Sequence, residues 1–120
     1  MSDRTLTWFV PGVLSQNVEG TNVSTEYVLD ENYVPVRVVI RQKVAQGSDP
    51  TIIDINDDGV SIFGTPKPAV AQGLPQTDWD VFERTLTMLE KDSIITLDVD
   101  QVSGTIPGEA LTVHLELNRE

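Results

Sequence analysis

Apolar and polar side chains alternate strictly along two segments near the C-terminus, and this alternation constrains the fold more than any other feature. Ile95, Leu97 and Val99 are separated by single polar residues. The last segment repeats the pattern over a longer run, at Leu111, Val113, Leu115 and Leu117. Successive side chains of a β-strand point to opposite faces, so a period of two predicts strands with one buried face.

Two earlier segments show the same period, and the composition agrees with it. Residues 5–10 alternate around Leu6 and Trp8, and residues 36–41 around Val38 and Ile40, so we expect Trp8 in the core. Val, Ile and Thr supply 36 of the 120 residues and Ala only four, and β-branched side chains suit pleated sheets. We therefore predict one all-β domain over residues 1–120, an antiparallel sandwich of about eight strands beginning near residues 5, 26, 36, 51, 60, 83, 94 and 110.

Gly and Pro predict the connections between these strands. The sequence SGTIPG at residues 103–108 favours a hairpin between the last two strands. Residues 64–77 hold three prolines and two glycines and predict a long loop, as does the polar, turn-rich segment 12–24. Residues 78–90 fit both a helical and a strand period, and we favour a strand over about residues 82–89.

Charge and missing residue types exclude several classes of function. Lys and Arg total 8 against 19 Asp and Glu, and the net charge of −11 opposes binding to nucleic acid and to anionic membranes. Cysteine is absent, which excludes disulfides and thiolate chemistry. The apolar run 8–14 is interrupted by Pro11 and Gly12, and no run approaches the roughly 20 residues of a membrane span. We expect a soluble chain without signal peptide or transmembrane segment.

The segment DINDDG, residues 54–59, matches the opening of an EF-hand loop. Asp54, Asn56 and Asp58 occupy loop positions one, three and five, and Gly59 occupies position six. Position twelve, which requires a bidentate carboxylate, is Thr65, and β-rich runs flank the segment instead of helices. We interpret it as a tight turn between strands and predict no metal ion and no cofactor. A calcium site built from Asp54 or Asp58 with carboxylates of another loop is the alternative.

Three other side chains are candidates for a catalytic role. His114 is the only histidine, and with no readable nucleophile beside it we expect a surface residue of a strand. Asp98 and Asp100 lie two residues apart on one strand, roughly 6 to 7 Å from each other, a spacing compatible with glycoside hydrolysis. Outward acids on a sheet are more often simply solvated, so we predict no catalytic residue and no enzymatic activity.

Trp79 is the candidate contact residue. It stands as DWD at the end of the long Pro-rich loop, and acidic neighbours make its complete burial costly. We expect the ring to serve as an anchor in a protein interface or, with Tyr27 or Tyr33, as a platform for a sugar. A ring folded back over the edge of the sandwich is an equally weighted alternative.

Three segments resemble a small all-β domain that recurs in structural proteins of tailed bacteriophages. They are TWFVPGVLS at residues 7–15, VPVRVVIRQKVAQGSDPTIIDINDDGVSIF at 34–63 and LEKDSIITLDVDQVSGTIPGEALTVHLEL at 89–117. The matching motifs are strands and turns rather than reactive groups. Residues 16–30 and 64–85 match least, and residues 79–84 depart from the Thr-rich strand usual in that family.

The resemblance implies a jelly-roll-like sandwich and a structural role in the virion. It implies a module of a head or tail fibre that binds a receptor or carbohydrate, or a capsid decoration (cement) protein that binds the major capsid protein of the assembled shell. Because the chain has 120 residues and begins almost directly in a strand, we expect the decoration protein. By analogy with modules at threefold positions, we expect a homotrimer.

Overall fold

A computed structural model describes residues 3–14, 24–44, 47, 50–63, 69–70, 76–80, 88–102 and 108–119. These ranges contain nine strands and no helix, and therefore no helix long and apolar enough to cross a membrane. The strands are β1 (Arg4–Val13), β2 (Tyr27–Val28), β3 (Tyr33–Val44), β4 (Thr51–Asp57), β5 (Val60–Ser61), β6 (Ala69–Val70), β7 (Gln76–Asp80), β8 (Ile94–Gln101) and β9 (Glu109–Arg119). The all-β prediction is confirmed.

The strands form two antiparallel sheets. The first sheet has the order β1-β9-β3-β7, and the second has the order β2-β8-β4-β5, with β6 also pairing with β4. The predicted hairpin between the last two strands is wrong, because β8 belongs to the second sheet and β9 to the first. Alternation reveals which face of a strand is buried, but it does not reveal which strand lies beside it.

The predicted inward residues of both sheets meet in one hydrophobic core. Leu6 and Trp8 of β1 are buried, and so are the alternating apolar residues of the other long strands, which are Val38, Ile40, Ile53, Ile55, Ile95, Leu97, Val99, Leu111, Val113, Leu115 and Leu117. Trp8 packs edge-to-face on Tyr27, with ring centroids 5.3 Å apart, and its Nε1 donates to the Thr25 carbonyl oxygen at 2.7 Å. The core position predicted for Trp8 is confirmed.

The predicted long loop 64–77 is interrupted by strands. Ala69–Val70 forms β6, and β7 begins at Gln76. Trp79 therefore lies within a strand, with its backbone opposite Val38, and not at the end of a loop. β6 and β7 lack the alternating apolar runs that reveal the long strands, so the sequence pattern does not predict them.

The strand favoured over residues 82–89 falls mostly outside the described residues, which resume at Met88. Leu89 forms a bridge with Tyr33, through hydrogen bonds of 2.9 Å and 2.7 Å between the two backbones. The side chain of Trp79 also lies outside the described part of the chain, so its contact role stays a prediction.

Side chains cover the outer edge of β1. Tyr27 Oη donates to the carbonyl oxygen of Thr7 at 2.5 Å, and Ser24 Oγ donates to that of Phe9 at 3.2 Å. Pro11, further along the same strand, has no N–H to offer. Two carbonyl groups of this edge are thus occupied, which makes it a poorer template for an additional strand.

Candidate functional site

The DINDDG segment forms a two-residue β-hairpin, in agreement with the predicted tight turn. Asp57 pairs with Val60, and the two turn residues between them both have positive φ, 49° for Asp58 and 86° for Gly59. This combination characterises a type I′ turn, whose twist matches that of the strands it joins. The strands β4 and β5 on either side replace the helices that an EF-hand requires.

The side chains of the apparent calcium motif form hydrogen bonds in three different places. Asp54 Oδ1 accepts a hydrogen bond of 2.6 Å from Ser61 Oγ, while Asp58 Oδ1 accepts one of 2.9 Å from the N–H of Ile94. Asn56 is buried and bonds to the neighbouring strand β8. Among the described residues, no group of three or more His, Asp or Glu could hold a metal ion. These contacts hold the sheet together and do not form a ligand shell.

Asp98 is buried, which corrects the expectation of a solvated acid. Its side chain is fully inaccessible on the outer face of the second sheet, directly opposite Asp54 in the register. Asn56 Nδ2 donates to its Oδ2 at 2.6 Å. Asp100 on the same strand is half-buried. Buried polar groups require partners, and the Asn56 contact gives Asp98 a structural role that alternation alone could not reveal.

The tyrosines considered as sugar platforms are structural. Tyr33 is buried and its Oη donates to Asp30 Oδ1 at 2.8 Å, which is the main reason that the pKa of Asp30 lies below its ordinary value. Tyr27 packs against the core while its hydroxyl group covers the edge of β1. Neither ring is available as an open stacking surface.

His114 lies on the outer face of the first sheet, as expected for a surface strand residue. It is half-buried, and its Nδ1 forms a hydrogen bond of 2.9 Å with Thr7 Oγ1 on β1. Thr7 is its register partner. This hydrogen bond orients the imidazole ring on the sheet surface.

A shallow hollow of about 550 Å³ lies beside His114 on this face. Phe9, Thr112 and Arg41 form one row across three adjacent strands, because Thr112 is the register partner of both others. Thr112, in the middle of the row, has a small side chain, so the row forms a groove. The walls of the groove are the ring of Phe9 and the guanidinium group of Arg41, whose strands lie two strand spacings, roughly 10 Å, apart. We call this surface the basic hollow and define it as Phe9, Arg41, Lys43, Ala110, Thr112 and His114.

The cations of the hollow differ from the other arginines in their contacts with described side chains. Arg4, Arg37 and Arg119 form ion pairs with Asp30, Glu116 and Glu31 respectively. By contrast, neither Arg41 nor Lys43 has an ion-pair partner among the residues whose side chains are described. Both are exposed and lie in one phase of β3, so they place two positive charges together in a chain whose acids outnumber its bases 19 to 8.

An exposed aromatic ring completes the hollow. Phe9 is 54% exposed, whereas Leu6 and Trp8, on the opposite face of the same strand, are buried. Ala110, at the other end of the hollow, has φ 52°. Alanine rarely adopts positive φ, and such strained positions are often found at functional surfaces.

The strain at Ala110 coincides with a β-bulge. Between the pairs Val10–Leu111 and Val13–Glu109, β1 contains one residue more than β9. Gly12, with φ 72°, lies inside this bulge. Bulges bend strands and redirect neighbouring side chains, so the bulge and Ala110 together shape one end of the hollow.

Sequence reasoning missed the hollow, although a weak signal for it existed. Phe9 falls in the polar phase of its strand, after Thr5 and Thr7, and Arg41 and Lys43 share one phase of β3. An aromatic residue in a polar phase predicts an exposed ring. These residues face the same side of one sheet because the strand order is β1-β9-β3. The sequence does not reveal that order.

A second exposed apolar surface has the opposite charge. Glu26, Asp58, Ile94 and Thr96 line a hollow of about 380 Å³ on the second sheet. Val28 is the register partner of Ile94, and the two side chains are 58% and 39% exposed. We call this surface the acidic patch and define it as Glu26, Val28, Asp58, Ile94 and Thr96.

Comparison with known proteins adds no family to these observations. The sequence matches no protein-family model and no curated protein.

Proposed function

We propose that this chain is a non-enzymatic structural protein of a tailed bacteriophage virion, a decoration or cement protein that binds the major capsid protein of the assembled shell. It acts as a homotrimer with a jelly-roll-like sandwich fold, made in the host cytoplasm and carried on the particle. The observation that carries the proposal is that the three segments of the resemblance form the long strands of the folded core.

The resemblance supports this proposal through the elements that it covers. Its three segments cover all of β4, β5 and β8 and most of β1, β3 and β9. These strands supply most of the buried core. The poorly matching segments contain only β2, β6 and β7 among the described strands. The likeness therefore concerns the folded centre of the molecule.

The chemistry of the described polar residues also favours binding over catalysis. Asp98, the acid with the most enzyme-like spacing, is buried and hydrogen-bonded to Asn56. His114 is oriented by Thr7 on an open sheet face. Phe9 and Arg41 combine an aromatic ring and a guanidinium group, the residue types enriched at protein interfaces.

A receptor-binding or carbohydrate-binding module of a head or tail fibre is the second candidate. The exposed ring of Phe9 lies in one row with the hydroxyl-bearing Thr112, and aromatic rings stack on sugars while hydroxyl groups bond to them. Trp79 is the further glycan contact proposed from the sequence. Glycan-array binding that is lost in Phe9→Ser or Trp79→Ala would favour this candidate.

Cosedimentation tests the decoration role. The purified chain is mixed with empty heads of the phage whose genome encodes it and, separately, with unassembled capsid subunits. We expect saturable pelleting with the heads and none with the subunits, because a cement protein recognises the assembled lattice and gains avidity from repeated sites. Failure to pellet with heads at any concentration would refute the role.

A further inference from the structure

Exposed apolar side chains of the described residues concentrate on two surfaces of opposite charge. Among the residues whose side chains are described, the exposed large hydrophobic ones are Phe9, Val28, Val60 and Ile94. Phe9 lies in the basic hollow, whereas Val28 and Ile94 form the centre of the acidic patch. Val60 lies on the β4–β5 hairpin and belongs to neither surface.

From this arrangement we infer that the basic hollow of one copy binds the acidic patch of a second copy of this chain. Phe9 packs against Val28 and Ile94, and the cations Arg41 and Lys43 face the carboxylates of Glu26 and Asp58. This inference rests on the proposed homo-oligomer and names its interface.

Charge complementarity selects a second copy as the occupant. Among the residues whose side chains are described, Arg41 and Lys43 have no ion-pair partner, and neither has Glu26. Each surface therefore carries charges that the other can neutralise. The net charge of −11 opposes association at long range, but at physiological salt the Debye length is about 8 Å, so the nearby complementary charges dominate.

Position and chemistry make this a contact between sheet faces. The hollow belongs to the outer face of the first sheet, and Ile94 and Thr96 lie on the outer face of the second, opposite in phase to the buried Ile95 and Leu97. The edge of β1 next to the hollow is covered by Tyr27 and Ser24. A partner therefore meets side chains here and does not extend the sheet.

The symmetry of this interface determines which kind of assembly the copies form. Two different surfaces meet, so the interface is heterologous and every copy keeps one free hollow and one free patch until the assembly closes. Closure after three copies gives a ring with threefold symmetry, which agrees with the trimer proposed from the resemblance. A rotation that does not close would give filaments.

Charge reversal tests the interface by sedimentation equilibrium of the purified chain. Arg41→Glu and Glu26→Lys each place like charges across the contact, and each is expected to weaken self-association by about tenfold or more. The two changes combined in one chain restore an opposite-charge pair, and association is expected to recover toward that of the wild type. Raising the salt concentration is expected to weaken association of the wild type.

Matched controls separate the interface from net charge. Lys91→Glu changes the net charge by as much as Arg41→Glu, and Glu90→Lys by as much as Glu26→Lys, at exposed positions outside both surfaces. Both controls should associate like the wild type. A chain that stays monomeric at every concentration would overturn the interface, as would a combined variant no better than either single variant. Neither result bears on pelleting with empty heads, so the decoration role is judged separately.

Discussion

Asn56 donates a hydrogen bond of 2.6 Å from its Nδ2 to Oδ2 of Asp98, and both side chains are buried on the outer face of the second sheet. The bond ties the end of β4 to the centre of β8. Asp98 and Asp100, two acids with enzyme-like spacing, lie in different environments. The first belongs to the structure of the sheet, and the second is half-buried near the end of its strand.

Replacing Asp98 by alanine should destabilise the fold strongly. The buried amide of Asn56 loses its acceptor, and a buried donor left without that partner, together with the lost hydrogen bond, costs about 3 kcal/mol. Urea denaturation of Asp98→Ala measures this loss, with Asp100→Ala as the control at the half-buried position. Equal losses in the two variants would contradict the structural role assigned to Asp98.

Removing the charge of Asp57 should stabilise the protein at neutral pH. Burial raises the pKa of Asp57, nearby Asp58 and Glu90 raise it further, and a hydrogen bond from Ser93 opposes the shift. A carboxyl group with a raised pKa holds its proton more tightly in the folded state, so its ionisation destabilises the fold as pH rises from the ordinary aspartate pKa through the raised one.

Thermal melting of Asp57→Asn at two pH values tests whether ionisation of Asp57 destabilises the fold. At pH 7 the variant should exceed the wild type by no more than about 1 kcal/mol, because the carboxyl group is only partly buried and water screens its charge. At about pH 3, where the wild-type group is protonated in both states, the difference should vanish. A variant less stable than the wild type at pH 7 would contradict the assignment.

Position 59 requires glycine because of the backbone conformation of the turn, and not because neighbouring atoms leave no space for a side chain. Its φ is 86°, and a Cβ atom added there would meet no atom within 4 Å. Gly59→Ala should therefore lose about 1 kcal/mol from backbone strain alone. Asp58→Asn, at the neighbouring turn position with φ 49°, should lose less, since asparagine tolerates that conformation. Chemical denaturation compares the two, and an unchanged Gly59→Ala would argue against the type I′ turn.

Replacing Ala110 by glycine should make the protein more stable. Ala110 has φ 52°, a region that glycine occupies without the steric penalty of a Cβ atom. Ala110→Gly should raise the free energy of unfolding by up to about 1 kcal/mol. The same substitution at Ala69, in the short strand β6, supplies the comparison, because glycine normally weakens a strand. A loss of stability in Ala110→Gly would contradict the strained conformation.

The sequence predicts the sheet class and the buried faces because alternation is a local property. The burial of Trp8, Ile95 and Val113 follows from the spacing of apolar residues within their own strands, whichever strand lies beside them. Which strands pair with each other is not a local property. Nothing in the residues around SGTIPG distinguishes a hairpin from a connection between the two sheets. The turn at Gly59 was predictable because its backbone chemistry is also local.

The candidate site was much less predictable than the fold. Phe9 and Arg41 are 32 positions apart in the sequence and become neighbours only because β9 lies between their strands. The burial of Asp98 depends in the same way on Asn56 of another strand. Trp79 is the contact residue that the sequence predicts, whereas the exposed aromatic ring that the structure describes is that of Phe9.

A cryo-electron map of the native particle tests the central claim most directly. Under the proposed function, the particle is that of the phage whose genome would encode this chain. We predict the chain on the exterior of the assembled shell, with Phe9, Arg41 and Lys43 of each copy covered by the acidic patch of the next. A particle without this chain, or a map in which that hollow faces open solvent on every copy, would contradict the account.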